Sequence, residues 1–294
     1  MSITATRFAT HIRTWLLIAA LTGLLVAIGA AIGGGALYLF VILAVGMNLA
    51  GYWFSDRIAL RASRARPLEP GQAAWLARMV EDLARQAEVP APRLYLIPSE
   101  QPNAFATGRN PQHAAVAVTE GLVEQLPADQ VRGVLAHELA HIKNRDILIS
   151  SFAAMVAGAI SAVASVLQFS MLFGGSDEED SPLGLVGTLG AILVAPIAAM
   201  LLQLAVSRQR EYLADATGAQ LLGRAAPLAD ALESLERGAR ALPMTVNSAQ
   251  ASLYAVNPLP RRGLATLFMT HPAITERIRR LRALDGGRVL AFAA

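Results

Sequence analysis

Three long stretches of the chain, 15–55, 147–176 and 181–207, contain no charged residue. A helix needs about 20 consecutive apolar residues to cross a bilayer core. The first stretch has room for two such helices, Trp15–Ile32 and Ala36–Phe54, with Gly33-Gly34-Gly35 as the turn between them. The other two stretches hold one each, Ile147–Phe173 and Leu183–Val206. The pattern predicts four transmembrane helices in two hairpins. A cleaved signal peptide is a rival reading of the first helix, because Arg7 and Arg13 precede it; a mitochondrial presequence is a weaker one. Signal sequences carry an apolar run of about 7–15 residues, whereas this one continues through a second helix, which favours the anchored reading.

Elsewhere the pattern is that of a soluble domain. Residues 70–88 repeat at helical spacing, with Trp75, Leu76, Met79, Val80 and Leu83 on one face. Two short extended runs, 93–97 and 113–118, flank Asn103–Ala106, and Pro98, Pro102, Gly108 and Pro111 punctuate them as in a small sheet. Helices are predicted over 128–145, 205–223, 226–241 and 273–284, with loop over 243–263. The fold class expected is a mainly α membrane protein: four transmembrane helices plus an α+β domain with a small sheet. Its parts are a first hairpin in 1–55, a cytoplasmic segment 56–146, a second hairpin in 147–206 and a cytoplasmic segment 207–294.

Charge sets the orientation. The 25 basic and 22 acidic residues all lie outside the three apolar stretches, giving the remainder the charge density of an ordinary soluble domain, about a quarter. Arg57, Arg61, Arg64 and Arg66 follow the second predicted helix, Lys143 and Arg145 precede the third, and Arg208 and Arg210 follow the fourth. The loop 174–182 between the last two is acidic and has no base. Basic residues stay on the cytoplasmic side, so both termini and segment 56–146 are expected there, in an inner (plasma) membrane. The sequence pI of 9.7 does not indicate nucleic acid, because a net charge of +3 is spread over membrane flanks, where anionic lipid is the natural counter-surface. The absence of cysteine excludes disulfides, thiolate zinc sites and a cysteine nucleophile.

The chemistry is concentrated in His137-Glu138-Leu139-Ala140-His141. On a helix, positions i and i+4 share a face, so His137 and His141 can bind one metal ion. Glu138 stands beside them, placed to take a proton from a water that a zinc ion has made acidic. The metzincin continuation is missing: Asn144 and Ile147 stand where that class has Gly and His. A downstream carboxylate is the other common third ligand. Glu211 lies four residues past Ser207, and His141 lies five before Asp146. If the apolar stretches between them form a hairpin, both residues stand about 6–8 Å beyond the same membrane boundary, at 1.5 Å per residue. Asp215, one turn after Glu211, is then placed to accept the second ring N–H of a ligand histidine. His11 and His113 are read as structural.

HELAHIKNRD at 137–146, SRQREYLADA at 207–216, NAFATGRNPQHAAVAV at 103–118 and THPAITERI at 270–278 together resemble the HtpX family of membrane zinc endopeptidases, relatives of the CAAX prenyl proteases. The resemblance covers nearly the whole chain. It implies one zinc ion held by His137, His141 and Glu211, with Glu138 as catalytic base, and a quality-control role linked to stress. It implies that Asn103, Ala104 and Phe105 form an edge strand that pairs with substrate. It also implies that His271 and Arg277 converge on the site, His271 toward the oxyanion and Arg277 toward Glu211. The expected substrates are membrane proteins or unfolded polypeptides cut near the bilayer. Two alternatives are a non-enzymatic scaffold or channel with a structural metal, and an intramembrane protease of the site-2 type. Against the latter, Asp129, Arg132, Lys143, Arg145 and Asp146 surround the motif with charge.

Overall fold

A computed structural model describes residues 35–151, 208–259 except 245 and 247, and 272–285, with five positions between 19 and 30. The predicted spans Ile147–Phe173 (beyond residue 151) and Leu183–Val206, the acidic loop between them, most of Trp15–Ile32, and His11 and His271 lie outside the described residues.

The first element, α1 (Ala36–Ala62), contains the second predicted span and continues eight residues past it. It turns Tyr38, Leu39, Ile42, Leu49 and Trp53 outward, away from any protein core. Among the described residues no single helix is long and apolar enough to cross a membrane. The two arms of α1, Leu37–Gly46 and Asn48–Ala62, bent by 40°, meet that test together by length and composition. The end of α1 docks on protein: Ala59 and Leu60 pack with Ile97, Phe105, Ala115, Ala117 and Tyr254.

The sheet consists of β1 (Arg66–Pro67), β2 (Arg93–Ile97), β3 (Ala104–Gly108) and β4 (Ala114–Thr119) in the order β1-β2-β4-β3. It is mixed: β2 runs parallel to β4, and both outer pairs are antiparallel. Side chains alternate across a strand, so Val116 and Val118 of β4 join the main core while Ala115 and Ala117 face α1. The two alanines leave room for the end of that helix. β3 is the outermost strand on the side of the chemistry.

The main core packs α2 (Ala74–Ala87) and the sheet against α4 (Ala128–Asn144), with α3 (Glu120–Gln125) between β4 and α4. Leu76, Val80 and Leu83 of α2 meet Val131, Val134, Leu135, Leu139 and Ile142 of α4. On the far side lie α5 (Arg208–Leu222), α6 (Ala226–Ala241) and α7 (Ile274–Asp285). The crossing of α5 over α4 fixes the site. At Gly218 a Cβ would stand 3.2 Å from the backbone nitrogen of His137, so the missing side chain lets the helices touch through their backbones. The region predicted as loop between α6 and α7 includes one short helical turn, Ser248–Ala251.

Candidate active site

Burying eleven of its residues commits α4 to the centre of the domain, and His137, Glu138 and His141 lie on its last turns. His137 and Glu138 are buried, and His141 is slightly open. The imidazoles stand edge to face with centroids 4.6 Å apart, and their Nε2 atoms face each other at 3.1 Å. Glu211 reaches in from the first turn of α5. Its Oε2 lies 3.7 Å from His137 Nε2, and its Oε1 lies 3.6 Å from His141 Nε2. A tetrahedral zinc with arms of about 2.0–2.2 Å separates its donors by roughly 3.3–3.6 Å. The observed separations, 3.1 to 3.7 Å, lie near that range, with a different Glu211 oxygen facing each histidine, and one donor atom from each residue lies within 4.8 Å of the others. Among the described residues these three form the cluster able to hold a metal.

Each histidine has a carboxylate behind it. Asp215 Oδ1 lies 3.0 Å from His137 Nδ1, and Asp146 Oδ2 lies 3.3 Å from His141 Nδ1. A proton on Nδ1 is thereby held away from the site, and the Nε2 lone pair turns toward it. Arg277 of α7 lies fully buried beneath. Its Nε donates to Asp215 Oδ2 at 2.8 Å and its Nη2 to Oδ1 at 2.7 Å, a two-pronged fork. Its Nη1 donates to Ala255 O at 3.0 Å and stands 3.4 Å from Glu211 Oε2. Nη2 also comes within 3.3–3.4 Å of both His137 ring nitrogens. With Nδ1–H committed to Asp215, Nε2 is the ring nitrogen left able to accept from Nη2.

These contacts shift proton affinities. Burial alone raises the carboxyl of Asp215, but the Arg277 charge and the His137 hydrogen bond hold it below the usual range. Burial alone lowers His141, yet the hydrogen bond to Asp146 and the nearby carboxylates push it up to about 9. Glu138 is raised, mainly because it is buried. The two histidines oppose that shift, as does a hydrogen bond from the backbone of Ala106 on β3. A narrow cleft opens onto the metal donors, walled by Ala106, Glu138, Ile147, Ser252, Tyr254 and Ala255.

The structure thus brings His137, Glu138, His141, Glu211, Asp215 and Arg277 together, and Arg277 holds Asp215 more closely than Glu211. One expectation needs correction. β3 lies at the sheet's edge, but its Asn103–Phe105 end is not open to another strand. Asn103 donates its side-chain amide to Val256 O at 2.7 Å, Ala255 donates its N–H to Ala104 O at 2.9 Å, and Phe105 packs edge to face on Tyr254. All three residues are completely buried. The chain's own segment 254–256 satisfies that stretch because an unpaired buried edge is costly.

Sequence reading missed this segment and Asp146. No periodicity marks residues 252–256. Asp146 is delivered by a helix-ending turn at a non-glycine residue, Arg145, with φ 61°.

Two histidines one helical turn apart, a glutamate between them in sequence and a third ligand from a neighbouring helix define a gluzincin-type metallopeptidase centre. Residues 70–285 match Peptidase family M48, and the chain belongs to that family. It is 51% identical over 278 residues to the Protease HtpX homolog of Pelotomaculum thermopropionicum, covering 93% of this chain and 99% of that one. It is 53% identical over 278 residues to the Protease HtpX homolog of Syntrophobacter fumaroxidans, covering 92% and 98%. The fold is similar to the crystal structure of S. mikatae Ste24p, with a TM-score of 0.50 at 21% identity over 95% of this chain and 67% of that one. Family, relatives and donor set together make the chain a zinc metalloendopeptidase.

Proposed function

We propose that His137, His141 and Glu211 are the zinc ligands and Glu138 the general base of a peptidase that cuts membrane proteins or unfolded polypeptides beside the inner face of the bilayer. The observation that carries the reading is the convergence of the two Nε2 atoms, 3.1 Å apart, on the Glu211 carboxylate, one oxygen of which lies 3.6 Å from His141 and the other 3.7 Å from His137. A zinc ion supplies Lewis acidity there, making a water a nucleophile near neutral pH and polarising the scissile carbonyl.

The rest is done by side chains. Glu138, whose burial raises its proton affinity, takes the proton of the attacking water and passes it to the departing nitrogen. Asp215 and Asp146 keep the histidines oriented. Arg277 neutralises Asp215 and steadies Glu211. His271 lies three residues before the start of α7, the helix that bears Arg277, and we assign it to hydrogen-bond the developing oxyanion. The substrate strand passes Ala106, the residue of β3 that lines the cleft beside Glu138.

Four spans, with the domain divided as 1–55, 56–146, 147–206 and 207–294, account for the uncharged stretches, the basic flanks and the outward apolar face of α1. The ligands flank the second hairpin in sequence, so the site stands about 6–8 Å from the membrane boundary. That placement directs cleavage to cytoplasmic segments close to the bilayer and suits quality control under stress. The test is a membrane-anchored reporter with matched cleavable segments on either face. Cleavage confined to the cytoplasmic segment, and lost with chelator, supports the reading. Cleavage confined to the outer segment overturns the topology.

A further inference from the structure

To share an ion with Glu211, the two histidines of α4 need their rings held in one tautomer, and Asp215 does this for His137 at 3.0 Å. His141 has a counterpart from a different part of the chain. We propose that Asp146 is a positioning residue of the metal centre, holding the His141 ring so that Nε2 faces the ion; this rests on the reading of His141 as a ligand.

Asp146 is buried, and its carboxylate oxygen lies 3.3 Å from His141 Nδ1. The backbone sets that contact. At the end of α4, Arg145 adopts the left-handed conformation and donates to Ile142 O at 3.1 Å, while Asp146 N–H donates back to His141 O at 2.9 Å. These are the two hydrogen bonds of a Schellman turn. The turn folds residue 146 back over residue 141, so its side chain meets the ring of the residue whose carbonyl its own N–H contacts. On the other side, Asp146 O accepts from Ser150 N at 3.3 Å, and residues 147–151 are helical. That helix is tied to the sheet by a 2.7 Å hydrogen bond between Ser151 and Thr107. Ile147 and Ser150 line the same cleft as the metal donors.

The ring of one ligand is therefore held by the residue at which the chain leaves α4 for the apolar stretch 147–176. An Asp here is also a good helix N-cap, so a purely architectural role must be separated from a positioning one. Ser and Asn both preserve capping. Ser is too short to reach His141, and Asn keeps an acceptor oxygen but loses the charge.

The full-length protein in detergent is compared as wild type, Asp146→Ser, Asp146→Asn and His141→Ala. Zinc affinity is read by competition with a chromophoric chelator, the d–d spectrum from cobalt-substituted protein, and the thermal midpoint from the metal-free form. Partners of ligand histidines typically contribute 10–100-fold to metal affinity. The positioning role predicts that Asp146→Ser binds zinc about 10–100-fold more weakly, that Asp146→Asn falls between it and wild type, and that both shift the cobalt spectrum at temperatures below their metal-free midpoints, where the chain is folded. If both variants match wild type in affinity and spectrum while His141→Ala loses the metal, Asp146 only caps a helix and the proposal fails. If His141→Ala binds zinc as tightly as wild type, the ligand assignment itself is wrong.

Discussion

His137 and His141 point their Nε2 atoms at each other across 3.1 Å, a separation at which two bare lone pairs repel. Either a proton or a cation has to lie between them. In the metal-free protein the proton resides on His141, which the surrounding carboxylates push up to about 9. Zinc must displace it.

The sign of the pH dependence follows. Below about pH 9 every zinc ion bound releases a proton from His141, so apparent affinity should rise nearly tenfold per pH unit between about 6.5 and 9 and then level off. Chelator competition across that range, with proton release measured in weakly buffered solution, checks it. Affinity independent of pH over this window would show that His141 enters the reaction already neutral.

Arg277 and Asp215 make a second test possible. Removing one partner of a buried ion pair leaves an uncompensated charge and typically costs about 3–5 kcal/mol. Arg277→Met should lower the thermal midpoint steeply and weaken zinc binding, because Asp215 then loses the fork that holds it against His137. Arg277→Lys keeps the charge without the fork and should fall between. A Met variant as stable as wild type would mean that the pair adds nothing to the fold.

Gly218 tests whether the backbone contact between α5 and α4 sets the metal geometry. Gly218→Val places a branched side chain where even a lone Cβ would lie 3.2 Å from His137 N. The helices must separate, carrying Glu211 and Asp215 away from the histidines, and zinc affinity should drop at least about tenfold with helical content retained. Gly218→Ala should be milder, since the roughly 1 kcal/mol gained in helix propensity offsets part of the strain. Circular dichroism and chelator competition read the two effects separately.

Much of this arrangement is legible in the residues. The period-3.6 stripe of α2 and the spacing of His137, Glu138 and His141 follow from local geometry, and Glu211 and Asp215 announce themselves as like charges one turn apart. Other parts are set by contacts that no local pattern carries. Asp146 reaches His141 through a left-handed turn at an arginine, where glycine is the usual signal. Segment 254–256 covers the start of β3 through one backbone hydrogen bond and the Asn103 side chain, neither of which leaves a periodic trace. The edge strand was therefore visible as a strand while its occupied half was not.

The central claim is that Glu138 moves protons and does not bind the metal. The most direct measurement pairs zinc content with peptide hydrolysis in Glu138→Gln. One equivalent of zinc should remain, because His137, His141 and Glu211 are untouched, while cleavage falls by about 10²–10⁴-fold for loss of the base. Wild-type cleavage by the Gln variant, or loss of its zinc, would contradict the account.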